Sequence, residues 1–309
     1  MNSPFLARVG QRERSPIRWA AWLILGVGLT FCAWFFVALV LQLVDPELVE
    51  LANVKGPLPD GPGRLLDETR YTVLIASLLL ATALAVLYAA RLAFHRPAWT
   101  FVTPAQPFRP RLLLLGSAMF GALALAGLLV ESTLRGDPLQ LPILDSDYAL
   151  GARGIYLLGA VLFLLMAAAA EEIIFRGVLL QFTAAFTRNL PLLLLINGVV
   201  FSAFHLDPSP EAFVARAVSG AVWAWTALRL AGLEFAIGAH LANNLLLSLL
   251  VEPISEGAQL DRDYPLSVVT ADLALSGLLV VGLLAALRSP ALRAWAGVEP
   301  PARVEDAFD

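Results

Sequence analysis

The sequence predicts an all-α fold, a polytopic bundle of about eight helices integral to a lipid bilayer. Composition is the first reason. Of 309 residues, 59% are hydrophobic and 15% charged, against about 45–50% and about 25% in a soluble domain, and mean hydropathy is +0.75. The second is recurrent long uncharged runs, beginning with the 26 residues Trp19–Val44. A spanning helix needs about 20 apolar residues, because lipid offers an open backbone no partner. The third is an alternation of basic and acidic loops between the runs. The same figures exclude a soluble enzyme, a disordered chain and a nucleic-acid binder, since 21 basic against 25 acidic residues leave no basic surface for phosphates. The single cysteine, Cys32, lies in an apolar run and excludes a disulfide framework or a cysteine zinc site.

In chain order, Trp19–Val44 reads as a retained span. A signal peptide has a shorter apolar core and a small-residue cleavage site, whereas this run ends in Asp45-Pro46-Glu47. Tyr71–Ala90 and Leu112–Val130 follow, and a fourth run, Gly154–Ala170, meets two glutamates. Shorter stretches come next: Leu190–Phe204, Ala217–Leu228, Phe235–Val251 and Leu266–Leu287. The Ala217 stretch is short enough for a tilted or half-buried helix, so seven spans is the alternative count. Pro- and Gly-rich segments such as Gly56–Gly63 and Pro104–Pro110 read as connectors. Neither an internal repeat nor a second domain is visible. Residues 1–18 form an N-terminal segment, 19–288 the membrane domain, and 289–309 a tail expected to be loosely ordered.

Orientation follows from the arginines. Arg8, Arg12, Arg14 and Arg18 face one acid, Glu13, and the loop after the second span has Arg91, Arg96, Arg109 and Arg111 with no acid. The first loop instead holds Asp45, Glu47, Glu50, Asp60, Asp67 and Glu68, and the third loop and Glu252–Asp263 are acidic too. Both termini are therefore expected in the cytoplasm of a cell whose membrane the chain crosses many times. Lys55, the only lysine beside twenty arginines, points to a high-GC genome rather than to a function.

A charge at mid-bilayer costs at least about 2.5–3.5 kcal/mol, so ionisable residues there are functional candidates. Glu171, Glu172 and Arg176 interrupt an otherwise apolar helix, and His205 and His240 lie in or at the ends of apolar stretches, the latter followed by Asn243 and Asn244. His95, in a basic loop, receives no role. Glu172 and Arg176 are i, i+4 and share a face, as do His240 and Asn244. Glu171 lies about 100° away around its helix. With a turn around Arg188–Pro191, Glu171 and His205 each sit 17 residues from residue 188, hence at one depth, about 25 Å from the turn. His240 follows its own turn near Arg229–Leu233 too closely for that level, unless the turn is recessed or the fourth helix projects. A buried Glu–Arg pair can be structural glue, and a histidine at a helix end a satisfied interfacial residue. The matched depth of Glu171 and His205 favours one shared site.

A carboxylate beside an imidazole in a low-dielectric pocket can hold and deprotonate water. A second imidazole and a carboxamide can donate to a developing oxyanion. These are the parts for hydrolysing an amide without a covalent intermediate. No Gly-x-Ser-x-Gly, cysteine nucleophile, His-Glu-x-x-His or phosphate loop offers another route.

The ordered set Glu171-Glu172-x-x-x-Arg176, Phe201-x-x-x-His205 and His240-x-x-x-Asn244 resembles the three-motif signature of the CPBP (Abi) intramembrane proteases. That family includes CAAX prenyl endopeptidases and bacteriocin-processing or immunity proteins. The resemblance covers about residues 155–251. It implies a membrane endopeptidase opening to the cytoplasm and cleaving a lipidated, leader or membrane-protein peptide. Glu171 would then be the general base and His205 would help hold the water. His240 and Asn244 would stabilise the oxyanion, Glu172 and Arg176 would set the site's structure, and Phe201 would pack beneath His205. The family is often labelled metalloprotease. Glu171, His205 and His240 could supply three ligands to one divalent metal such as zinc, although Glu/His-activated water needs none, and metal-independent chemistry is the expectation. Two other classes stay open: a non-enzymatic scaffold or immunity protein retaining the motifs, and a transporter or proton relay, which would want internal repetition. Substrate identity and oligomeric state are not encoded in any motif.

Overall fold

The computed structural model describes residues 3–51, 58–103, 107–135, 142–206, 209–257 and 266–298. Among these no strand occurs, and eight helices of 14 or more residues form the body. They are α1 Pro16–Val44, α2 Arg64–Phe94, α3 Pro110–Arg135, α4 Leu150–Thr183, α5 Leu190–Ala203, α6 Pro210–Leu230, α7 Glu234–Leu250 and α8 Leu266–Ala286. Each apolar run of the sequence falls, to within one residue, in one of them. α1, α2, α3, α4 and α8 have the length and hydropathy to cross a bilayer, whereas α5 and α7 are apolar but shorter. α6 is long enough but carries Glu211, Arg216 and Arg229. The chain is a polytopic helical membrane bundle.

Local signals start and stop the short helices. The Asn189 side chain accepts from the Leu192 amide to open α5, and the Ser209 hydroxyl does the same for the Ala212 amide at α6, each with proline in the first turn. Ala231, left-handed at φ 53°, ends α6.

Packing runs from periphery to centre. α1 lies on α2, α2 on α4, and α4 on α7; α7 also packs on α3 and α6, while α8 closes against α3 and α6. The α3–α7 crossing brings backbones together: a Cβ at Gly116 would collide with the Phe235 carbonyl, and one at Gly238 with the Leu113 carbonyl. The Ser117 hydroxyl donates to the Gly238 carbonyl at 2.9 Å. Lipid supplies no hydrophobic drive between helices, so small residues that allow such approach hold the bundle.

The arginine-bearing ends gather on one face. Arg18 donates to the Ala93 carbonyl, Arg14 to that of Ala185, and Arg188 to that of Val9. Arg96, buried, pairs with Glu13 at 3.0 Å and donates to Gln181 at 2.7 Å. Burial lowers the Arg96 guanidinium below its ordinary value, and Glu13 opposes that shift. On the other face Arg70 bridges Asp45 and Glu47, and buried Glu68 accepts from Ser255.

Both chain ends pack on the bundle, and the first part of the tail expected to be loose is ordered. Phe5 and Leu6 are buried against α6, α7 and α4, and the Ser3 hydroxyl donates to the Leu228 carbonyl at 2.6 Å. Residues Pro290–Ala296 form a helix whose Ala296 is buried, with Gly297 accepting from Arg109. Apolar side chains make these segments part of the body. The rest of the expected tail, 299–309, and the segments 52–57, 104–106 and 258–265 of the connectors lie outside the described residues.

Candidate functional site

α4 continues straight through its two glutamates, then widens into a π-helical turn, Ile173–Leu179. Such turns interrupt the regular ladder and frequently mark functional sites. Here the buried Asn197 amide of α5 donates to the Phe175 carbonyl at 2.8 Å. The i, i+4 expectation holds: Arg176 Nη1 meets Glu172 Oε1 at 3.0 Å, with both side chains fully buried. Glu171, about a quarter-turn around, keeps 16% of its side chain exposed.

His240 joins both carboxylates. Its Nδ1 lies 3.0 Å from Glu172 Oε1, and its Nε2 lies 3.9 Å from Glu171 Oε2. A carboxylate can only accept, so Nδ1 carries the hydrogen there. The depth problem posed by the short approach to His240 is solved by recession. The α6–α7 turn is buried: Leu233 and Glu234 are inaccessible, and Ala231 and Leu233 pack with Phe5, Leu6 and Val102. Arg109 reaches into this turn, bonding both Glu234 oxygens and the Leu230 carbonyl. The N-terminal segment and the chain around Arg109 thus cover the turn, letting α7 start inside the bundle.

His205 follows the end of α5 and keeps the expected relation to Phe201. The rings meet edge-on with centroids 4.7 Å apart, and His205 Nδ1 lies 2.9 Å from the Phe201 carbonyl. Since a carbonyl only accepts, Nδ1 bears the hydrogen and Nε2 keeps a lone pair. Among the described residues no hydrogen bond or ion pair joins His205 directly to Glu171 or His240. Asn244 lies one turn beyond His240, and its Oδ1 accepts from Asn243 at 3.2 Å. Among the described residues no hydrogen bond ties it to Glu171, His205 or His240.

Three residues that sequence reasoning missed complete the group. Trp223 of α6 lies over His240 with centroids 4.5 Å apart and a 31° tilt, and the Arg176 guanidinium sits 4.2 Å from the Phe201 ring and 5.3 Å from the Trp223 ring. Gly220 offers its carbonyl to Arg176 Nη2 at 3.2 Å, and a Cβ there would come within 2.9 Å of Phe201. Asn197 carried a visible signal, since 197, 201 and 205 form one i, i+4, i+8 stripe. Trp223 and Gly220 carried none beyond membership in an apolar run.

Within this buried group Glu172 Oε2, Arg176 Nε and Asn197 Oδ1 have no hydrogen-bond partner among the described residues, the donor and acceptor chemistry that suits bound solvent. A metal fits less well. Among the described residues no group of three His, Cys, Asp or Glu side chains is arranged to hold an ion, so Glu171, His205 and His240 are not assembled here as the three-ligand cage of a catalytic zinc.

Comparison with known proteins gives two matches. The family described as Type II CAAX prenyl endopeptidase Rce1-like matches residues 153–246, a span containing all three motifs. A Bacillus subtilis (strain 168) protein, described as uncharacterized protein YyaK, is 28% identical over 230 residues, covering 71% of each chain. No solved structure matches.

Proposed function

For a chain that its motif-bearing segment places in the CPBP family, with the Rce1-like proteases, we propose the function of an intramembrane endopeptidase that hydrolyses a peptide bond with water activated by Glu171 and His205. Glu171 takes the proton of a water that also donates to His205 Nε2. The hydroxide adds to the scissile carbonyl carbon, and the carbonyl π electrons move onto oxygen. In its doubly protonated form His240 gives Nδ1–H to Glu172 and keeps Nε2–H for that oxyanion, beside the Asn244 amide. Collapse breaks the C–N bond, and Glu171 returns its proton to the leaving amine. Arg176 fixes Glu172, and Trp223 and Phe201 hold the imidazoles. The arginine face is read as cytoplasmic, and the substrate as a lipidated or leader peptide or a membrane protein presented by the bilayer.

The observation that supports this most is Glu172 Oε1, shared at 3.0 Å by Arg176 and His240. It joins the first motif to the third and leaves the neighbouring Glu171 free to face His240 Nε2. The test is cleavage of a membrane-anchored peptide by purified protein. Glu171→Gln and His205→Ala should each lower kcat by about 10²–10⁴ while the protein inserts and purifies normally, and activity should survive exhaustive chelation. Wild-type rates in both variants would remove the enzyme and leave the scaffold reading. Loss on chelation, restored by zinc, would overturn the metal-free route. Solute flux driven by a pH gradient in vesicles would favour a transporter instead.

A further inference from the structure

Away from this site, at the arginine face, a cleft of about 600 Å³ opens between the end of α2 and the following turn, lined by Arg91, Leu92, His95, Arg96 and Trp99. Its lining is basic, with Arg91 and Arg96 and no acid among the lining residues. Glu13, the buried acid nearby, is committed to Arg96, and among the described residues the Arg91 and His95 side chains make no hydrogen bond or ion pair. Arg8 adds a further cation, its guanidinium 5.2 Å above the Trp99 ring, and Arg12 reaches the His95 backbone carbonyl. Trp99 is 54% exposed at the rim, as tryptophans are where a membrane meets water.

An exposed apolar stripe leads away from the cleft along α2. Leu84, Tyr88 and Leu92 are 55%, 48% and 40% exposed and four residues apart, so they lie one above another down the same helix face. Arg91 and His95 continue that face into the basic cleft. A cationic cleft at the interface, continuous with a lipid-facing apolar track, suits one kind of molecule. We propose that this cleft binds the phosphate headgroup of an anionic glycerophospholipid, with an acyl chain lying on Leu84, Tyr88 and Leu92. Basic clefts between membrane helices take such headgroups. The site is separate from the glutamate–histidine group and does not depend on its chemistry.

The test is native mass spectrometry of the full chain released from neutral detergent and titrated with dioleoyl-phosphatidylglycerol, dioleoyl-phosphatidylcholine, glycerophosphoglycerol or inorganic phosphate. Wild type should hold the phosphatidylglycerol at least about five-fold more tightly than the phosphatidylcholine. Arg91→Gln with His95→Gln should erase that preference. Arg229→Gln, which removes an exposed charge elsewhere on the same face, should leave it within about two-fold. Equal losses in the two variants would overturn the cleft in favour of diffuse surface charge. Tight binding of glycerophosphoglycerol or phosphate would overturn the lipid assignment. Both variants change exposed side chains, and unchanged thermal unfolding checks that they fold.

Discussion

α1 and α7 are both apolar helices, yet they live in different solvents. Of the 29 residues of α1 only Gly26 is buried, while ten of the 17 in α7 are. α1 touches chiefly α2 and turns Ile24, Phe31, Phe35 and Leu43 outward. α7 is enclosed by α3, α4 and α6, and presents small residues to them: Ala236, Gly238, Ala239 and Ala242. Hydropathy is therefore a poor guide to the interior of a membrane protein, because lipid and core are equally apolar. Small residues, and polar ones with buried partners, are the better guide. α7 has both, and its one buried histidine is held by a carboxylate that is itself held by an arginine.

The largest test of that contrast is Arg176→Ala. Removing one partner of a buried ion pair strands the other charge, and the cost should be about 3–5 kcal/mol of unfolding free energy in mixed micelles. Wild-type stability would mean the group around α7 is not held by this pair. Next, Gly238→Val on α7 meets the Leu113 backbone, whereas Gly28→Val on α1 meets nothing within 4 Å. The first should cost about 1–3 kcal/mol and the second no more than about 0.5 kcal/mol. Equal effects would erase the difference between the helices. At the small end, Ser117→Ala removes the hydroxyl that bonds the Gly238 carbonyl, for about 1 kcal/mol. Cys32→Ala, on the exposed face of α1, should change stability by less than about 0.5 kcal/mol. A cost at Cys32 matching that at Ser117 would show that α1 has a protein neighbour.

Much of the site was legible because helical spacing is short-range geometry. The pairing of Glu172 with Arg176, the edge-on contact of Phe201 with His205 and the alternation of charged ends all follow from residues within a few turns. Other features depend on distant chain. His240 could reach the glutamates only if its turn was recessed, and the recess is made by Phe5, Leu6 and the region of Arg109, far away in sequence. The π-helical turn after Glu172 has no compositional mark; it stands where Asn197 of another helix accommodates the Phe175 carbonyl. Trp223 looked like any aromatic in a span until α6 set it over His240. Among the described residues the three ligand-type side chains are not gathered into a metal-holding group, since residue type alone says nothing of where packing sets each side chain.

Composition and periodicity dictated that this chain crosses a bilayer as helices, where along the chain each of them lies, and which ionisable groups interrupt its apolar runs. Those are consequences of transfer energies and of a 1.5 Å rise per residue, both local to each segment. Which helix faces lipid, how deep the α6–α7 turn sinks, and which oxygen Glu172 offers to both Arg176 and His240 were decided only when the segments packed. Inside a bilayer that choice rests on contacts between backbones at glycines and on buried hydrogen bonds, and both exist only between segments already brought together.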